Sequence, residues 1–160
     1  MANFDSQRAG KALATFIDDL SNWYVRRSRR RFWDGDTAAL ATLQDCCETL
    51  TLLLAPLTPF ITETVWQELV RPSKSEAEIS VHLANFPTPR YEEIDKELST
   101  QVAQTRRIVE LGRAARAESA VKIRQPLARA LISAPGWAFL PDEMKVQIAE
   151  ELQSVPAPEL

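Results

Sequence analysis

The sequence is organised around residues Asn22–Trp33, which read NWYVRRSRRRFW. They close a proline-free segment whose pattern predicts one long helix over residues 5–31, capped by Asp5 or Asn3. Arginine fills five of these twelve positions, aromatic residues flank the charges, and no carboxylate intervenes. Dense positive charge beside stacking rings is typical of a surface that binds phosphates and bases, although a solvated helix end has the same composition.

Helical phase divides the five arginines into two groups. At about 100° per residue, the apolar stripe that contains Phe16 and Tyr24 continues to Arg27 and Arg31. An unpaired buried charge is costly, so Arg27 and Arg31 are predicted to pair with carboxylates of neighbouring helices. The other three arginines are predicted to face an outside partner: Arg26, Arg29 and Arg30.

The rest of the first 120 residues also has helical spacing. Breaks between the segments are short, which favours antiparallel packing of neighbours and predicts a mainly α antiparallel helical bundle over residues 1–120. A long loop over residues 71–89 contains one β-like patch, Ile79–Leu83. The predicted helices after the first run from Thr37 to about Leu54, from Phe60 to Val70 and from Tyr91 to about Ser119.

The pattern changes after residue 120. Leu127–Ile132 predicts a strand, and an acidic helix is predicted from Asp142 to about Leu152. A single strand has no partner for its backbone groups. Residues 121–160 are therefore expected to be the truncated start of a small mixed α and β module.

The composition excludes several classes of protein. The net charge of -3 argues against a chain that coats nucleic acid with its whole surface, so any such contact must be local. The single histidine and the adjacent Cys46 and Cys47 assemble neither a metal site nor a catalytic nucleophile with its base. No apolar run is long enough for a membrane span. We therefore expect a cytoplasmic chain without catalytic residues, a metal site or a membrane partner.

Five segments follow one another along the chain: FIDDLSNWYVRRSRRRFW, LLAPLTPFITETVWQELV, SVHLANFP, VELGRAAR and KIRQPLARAL. In this order they resemble, from about Phe16 to Leu131, the anticodon-binding region of class Ia isoleucyl-tRNA synthetases of the eukaryote-like type. The segment PLTPFITETVWQ also occurs in the valyl and leucyl relatives, whereas the others favour the isoleucyl branch.

The resemblance implies a helical bundle that holds the anticodon stem-loop of isoleucine tRNA, followed by a small mixed extension. In the parent enzyme, ATP-dependent joining of isoleucine to its tRNA occurs on a separate domain whose HIGH and KMSKS signatures are absent from this chain. The fragment is therefore expected to be no enzyme and to carry no cofactor, whereas the parent uses ATP and Mg. Its expected partners are the tRNA and the rest of the synthetase chain.

Candidate RNA-binding residues follow from the arginine pattern and the resemblance together. Single-stranded RNA is held by stacking on rings or guanidinium planes and by cationic contacts. The predicted RNA-binding residues are Arg26, Arg29, Arg30 and Trp33, with Lys122 and Arg124 from a second basic stretch. A second group matches the family motif but is predicted to serve either packing or RNA binding: Asn22, Trp23, Arg27 and Arg31.

Two alternatives stay open at this point. The chain could be a plain helical-bundle interaction module whose arginines pair internally. It could also be the equivalent domain of a valyl- or leucyl-tRNA synthetase. Charge removal on the outward arginines separates the first alternative from RNA binding, and exchange of the anticodon addresses the second.

Overall fold

A computed structural model describes residues 5–122 and 124–154. The chain forms two compact units, Met1–Pro89 and Arg90–Leu160. The first unit ends well before residue 120, because the long helix that follows packs with the segments after it. The assignment of residues 1–120 and 121–160 as separate family domains stays a prediction.

The first unit opens with one continuous helical segment, as predicted. Helix α1 (Ser6–Asp19) passes through a π-helical stretch, Leu20–Val25, into α2 (Arg26–Trp33). Its start is fixed by Asp5, whose Oδ1 accepts a hydrogen bond from the Arg8 amide at 2.9 Å. The predicted packing stripe is uncovered at this end, since α1 has no buried residue within the part of the chain that the structure describes.

A tight turn joins α2 to α3 (Thr37–Leu54). Gly35 adopts a positive φ of 74° in this turn, and the Asp36 side chain caps α3 by accepting from the Ala39 amide at 3.0 Å. The next helical segment has proline at its first position, where no amide donor is needed. It consists of α4 (Pro59–Val65), a π-helical stretch over Trp66–Val70 and α5 (Arg71–Ser73).

The core of the first unit forms where the long loop returns to the third helical segment. Trp66, Val70 and Val81 are almost completely buried together with Ala55. The Trp66 Nε1 donates to the Glu78 carbonyl at 2.8 Å, which fixes the loop across the helix. The loop therefore covers an apolar helix face.

The β-like patch predicted at Ile79–Leu83 is wrong. Val81–Leu83 instead forms a 3₁₀ turn, capped by the Ser80 hydroxyl, which accepts from the His82 amide at 3.2 Å. The Glu63 carboxylate accepts from the Val81 amide at 3.1 Å. Because side chains take up these backbone donors, they are not available to pair with a strand.

Glu63 links α4 to this loop and makes the first unit sensitive to acid. Its carboxylate accepts hydrogen bonds from the Gln67 side-chain amide, through Nε2, at 2.7 Å and from the Ser80 hydroxyl at 2.8 Å. These bonds, that from Gln67 first, hold the pKa of Glu63 below its ordinary value. A lowered folded-state pKa stabilises the fold above the unfolded-state pKa, and this contribution is lost as pH falls through the folded-state value.

We therefore expect Glu63→Gln to lower the urea midpoint at neutral pH, with a difference from the parent chain that shrinks as pH falls below about 4.5. Urea titrations between pH 7 and pH 3 measure this. Glu68→Gln serves as the control because Glu68 is an exposed carboxylate on the same segment. A difference between the two urea midpoints that grows toward low pH would contradict a lowered pKa of Glu63 in the folded chain.

The second unit is built from a long helix and a shorter one. After a 3₁₀ turn at Tyr91–Glu93, α6 spans Lys96–Glu118, and a second 3₁₀ turn at Trp137–Phe139 leads to α7 (Asp142–Glu151). Helix α6 begins later than the predicted Tyr91, because the Asp95 side chain caps it by accepting from the Leu98 amide at 2.9 Å. The predicted acidic helix is confirmed as α7.

Close approach between α6 and the end of α7 depends on Gly112. A Cβ at this position would lie 2.5 Å from a methyl carbon of Leu152, a separation that a real side chain does not tolerate. Thr105 and Val109 are buried on the same face of α6, as helical phase predicts. The glycine at this position therefore permits close packing of the two helices.

The strand predicted at Leu127–Ile132 is wrong. Within residues 124–154, this segment makes only one isolated bridge, between Leu127 and Ser154, in which the Leu127 amide donates to the Gln153 carbonyl at 2.8 Å. A strand needs a neighbour along its length, and this contact is a single point. The prediction of a mainly α fold is confirmed.

Candidate nucleic-acid interface

One side of α2 is committed to packing. The Tyr24 hydroxyl donates to the Ala39 carbonyl at 3.0 Å, and the Tyr24 and Phe32 rings meet edge to face with centroids 6.2 Å apart. Ser28 lies between these rings along the helix and is only 5% exposed, so a small side chain lets α2 approach α3. These contacts fix the rotation of α2 about its axis.

The opposite side of α2 carries the predicted RNA-binding residues of the first unit. At about 100° per residue they fall within an arc of about 100°, directed away from Tyr24 and Ser28. The Trp33 side chain is 84% exposed and the Arg30 side chain 93% exposed. We call this surface the basic face; it consists of Arg26, Arg29, Arg30 and Trp33.

Two arginines of the basic face make contacts within their own helical segment. Arg26 Nε donates to the Asn22 carbonyl one turn earlier at 3.1 Å, and Arg30 Nε lies 3.8 Å from an Asp34 carboxylate oxygen. The second pair is exposed to solvent, where such ion pairs contribute little and are screened by salt. The Arg30 guanidinium can therefore exchange its contact with Asp34 for a phosphate oxygen.

Arg31 is held by a carboxylate, as its predicted position required. Its Nε lies 2.8 Å from Asp36 Oδ2, and this hydrogen bond raises the pKa of Arg31 and lowers the pKa of Asp36. The expected burial is wrong, because the Arg31 side chain is 52% exposed and Ser28 occupies the buried position. The π-helical stretch explains the offset: its i→i+5 bonds widen the turn, so each residue advances by less than in an α-helix.

The other motif residues lie in local contacts on the same helical segment. The Arg27 guanidinium carbon stands 5.5 Å from the centroid of the Trp23 ring, within the range of a cation–π interaction. The Asn22 side-chain amide donates to Asp18 Oδ1 at 2.6 Å. These contacts are compatible with a packing role, and whether Asn22, Trp23 or Arg27 also touches RNA stays a prediction.

The second predicted set lies in the other compact unit. Lys122 and Arg124 are exposed on the loop that leaves α6, and the Gln125 amide closes a turn by donating to the Lys122 carbonyl at 3.0 Å. The carbonyls of Lys122 and Gln125 also accept hydrogen bonds from the buried Arg116 guanidinium. Arg116 is one of the buried residues of α6, and the sequence pattern gives no sign of its connection with this loop.

The residues that the structure describes give no support for a metal site or a membrane span. Among residues 5–122 and 124–154, no three His, Cys, Asp or Glu side chains are grouped so that they could hold a metal ion. No helix in these ranges combines the length and apolar character needed to cross a membrane. Neither Cys46 nor Cys47 forms a disulfide, and partial burial raises the pKa of the Cys47 thiol.

Comparison with known proteins shows the family to which the chain belongs. Residues 1–132 match the family described as the anticodon-binding domain of tRNA ligase. The chain is 60% identical over 152 residues to an isoleucine–tRNA ligase of Streptomyces avermitilis, a match that covers 95% of this chain and 14% of that protein.

Two further relatives are also isoleucine–tRNA ligases. Identity is 59% over 160 residues to an isoleucine–tRNA ligase of Thermobifida fusca, covering 97% of this chain and 15% of the relative. Identity is 44% over 138 residues to the isoleucine–tRNA ligase of Thermus thermophilus, a match that covers 82% of this chain and 13% of that protein. The chain thus spans only a small part of the length of these relatives. It belongs to the family of anticodon-binding domains of tRNA ligases.

Proposed function

We propose that this chain binds the anticodon stem-loop of isoleucine-accepting tRNA, as the anticodon-binding part of an isoleucine–tRNA ligase. The observation that carries the proposal is the basic face, where a tryptophan that is 84% exposed stands among three arginines. A large aromatic ring held in water at the end of a helix offers a stacking surface for a base. The adjacent guanidinium groups supply contacts for the phosphates on either side of that base.

The packing of α2 supports this role. Tyr24, Ser28 and Phe32 hold one side of the helix against α3, so the opposite side has a fixed orientation before RNA arrives. Preorganised contacts lose less conformational entropy on binding than mobile ones. The similarity to isoleucine–tRNA ligases favours the isoleucine tRNA over the valine and leucine tRNAs.

The proposal extends to the longer protein. We assign the ATP-dependent joining of isoleucine to tRNA, with its use of ATP and Mg²⁺, to regions of the parent outside this chain. The proposed partners are isoleucine tRNA and the remainder of the synthetase chain, and the proposed location is the cytoplasm.

Salt dependence of binding tests the proposed contact with phosphate. A fluorescently labelled anticodon stem-loop of isoleucine tRNA is titrated with the chain at several salt concentrations. Each phosphate contact to single-stranded RNA makes the slope of log affinity against log salt more negative by about 0.7. Three arginines therefore predict a slope of about -2 or steeper. A plain interaction module with internally paired arginines predicts no specific binding and no such slope.

Trp33→Ala is expected to weaken binding of this stem-loop by roughly 5- to 150-fold, since a base stacked on an aromatic ring contributes about 1–3 kcal/mol. The salt slope should stay unchanged because no charge is removed. Phe60→Ala removes another aromatic ring, 88% exposed, and serves as the matched control. Equal affinities for the Trp33→Ala chain and the parent chain would rule out a stacking role.

A further inference from the structure

The buried Arg116 side chain forms hydrogen bonds with the loop that carries Lys122 and Arg124. Arg116 lies near the end of α6 and is 5% exposed. Its Nη2 donates to the Lys122 carbonyl at 2.5 Å and also to the Gln125 carbonyl, while Nη1 donates to the Leu152 carbonyl at 3.1 Å. One guanidinium therefore ties the loop to the end of α7.

The guanidinium group suits this position for geometric reasons. It is planar, always charged, and presents several N–H donors in a rigid fork, so it can reach carbonyls of two chain segments at once. Lysine has a compact ammonium on a flexible stem and cannot reproduce that fork. A buried cation bonded in this way holds the backbone of the loop more firmly than turn bonds alone.

The entry of the chain into the loop is fixed as well. Helix α6 ends at Glu118. Ala120, two residues later, lies in the left-handed region at φ 53°, and the Val121 amide donates back to the Arg116 carbonyl at 2.9 Å. On the far side, the Leu127 amide donates to the Gln153 carbonyl at 2.8 Å. The loop is therefore anchored at both ends, and Arg116 anchors its middle.

We infer that Arg116 is a positioning residue for RNA binding, which holds the backbone carbonyls of Lys122 and Gln125 so that the exposed Lys122 and Arg124 side chains reach the RNA phosphates. The inference rests on the proposed function, because it needs these two side chains to contact RNA. Arg116 itself is buried beneath the loop and contacts no RNA. Its effect on affinity must therefore pass through Lys122 and Arg124.

A double-mutant cycle tests this dependence. Lys122→Gln with Arg124→Gln removes two phosphate contacts and is expected to weaken binding of the labelled stem-loop about 25-fold at about 0.1 M salt. In the chain without other substitutions, Arg116→Lys should weaken binding several-fold and make the salt slope less steep. In the chain that already lacks Lys122 and Arg124, Arg116→Lys should leave affinity unchanged.

Arg116→Met provides a stronger change, and circular dichroism melts of every variant report whether the fold persists. If Arg116→Met unfolds the chain, the double-mutant cycle is measured with Arg116→Lys alone, because lysine keeps the positive charge. Equal weakening by Arg116→Lys in both backgrounds would show a general structural role and overturn the inference. No weakening in the parent chain would overturn it also.

The outcome distinguishes this inference from the proposed function. If Lys122→Gln with Arg124→Gln leaves affinity unchanged, Arg116 has nothing to position and the inference is overturned. The basic face of α2 then still reports on RNA binding through Trp33→Ala. Loss of the Trp33 effect and of the salt slope would instead overturn the proposed function itself.

Discussion

Replacing Arg26, Arg29 and Arg30 together with glutamine is expected to weaken binding of the isoleucine anticodon stem-loop on the order of 100-fold at about 0.1 M salt. Each lost phosphate contact removes about 0.7 from the salt slope, so three contacts account for a change of about 2. Glutamine keeps much of the side-chain length and helix propensity, so the change removes mainly charge. Fluorescence anisotropy across a salt series measures both quantities.

A matched control removes the same charge elsewhere. Arg8, Lys11 and Arg107 are exposed basic residues outside the basic face, and their combined replacement by glutamine should change affinity only slightly. If both triple variants lose affinity equally, binding depends on net charge alone and the basic face is not the site. If neither loses affinity, the interaction-module alternative is favoured.

Trp66→Ala is expected to lower the free energy of unfolding by about 3–5 kcal/mol. The side chain is 3% exposed and packs with Val70 and Val81, so truncation opens a cavity where the loop covers the helix. It also leaves the Glu78 carbonyl without its indole donor. Urea unfolding followed by far-UV circular dichroism measures the loss.

Trp33→Ala is the control for this stability prediction. The Trp33 ring is 84% exposed, and surface changes of this kind usually alter stability by no more than about 0.5 kcal/mol. The two tryptophans should thus separate cleanly, with Trp66 governing stability and Trp33 governing RNA affinity. Similar losses of stability in the two variants would contradict the assigned core.

The helices could be predicted because their signals are local. Apolar spacing predicted the helices of the first unit, and Asp5 predicted the start of the first helix, which the structure confirms. The errors arose where tertiary contacts decide the outcome. Ser80 and Glu63 convert an apolar patch into a capped turn, and no neighbouring strand within the described residues pairs along Leu127–Ile132.

The candidate interface was predictable in direction but not in detail. Helical phase predicted which arginines point away from Tyr24, since the basic face lies opposite the packed side. It failed for Arg31, because the sequence gives no sign of the π-helical stretch that shifts the phase. The link from Arg116 to the Lys122 loop was also invisible, since carbonyl partners depend on tertiary structure and not on residue type.

The comparison of matched and exchanged anticodons tests the central claim most directly. The chain is titrated against the isoleucine anticodon stem-loop and against one in which only the anticodon bases are replaced, at the same series of salt concentrations. We predict tighter binding of the isoleucine stem-loop at every concentration, with affinity that falls as salt rises. Equal affinity for the two stem-loops, with no dependence on salt, would contradict anticodon binding by this chain.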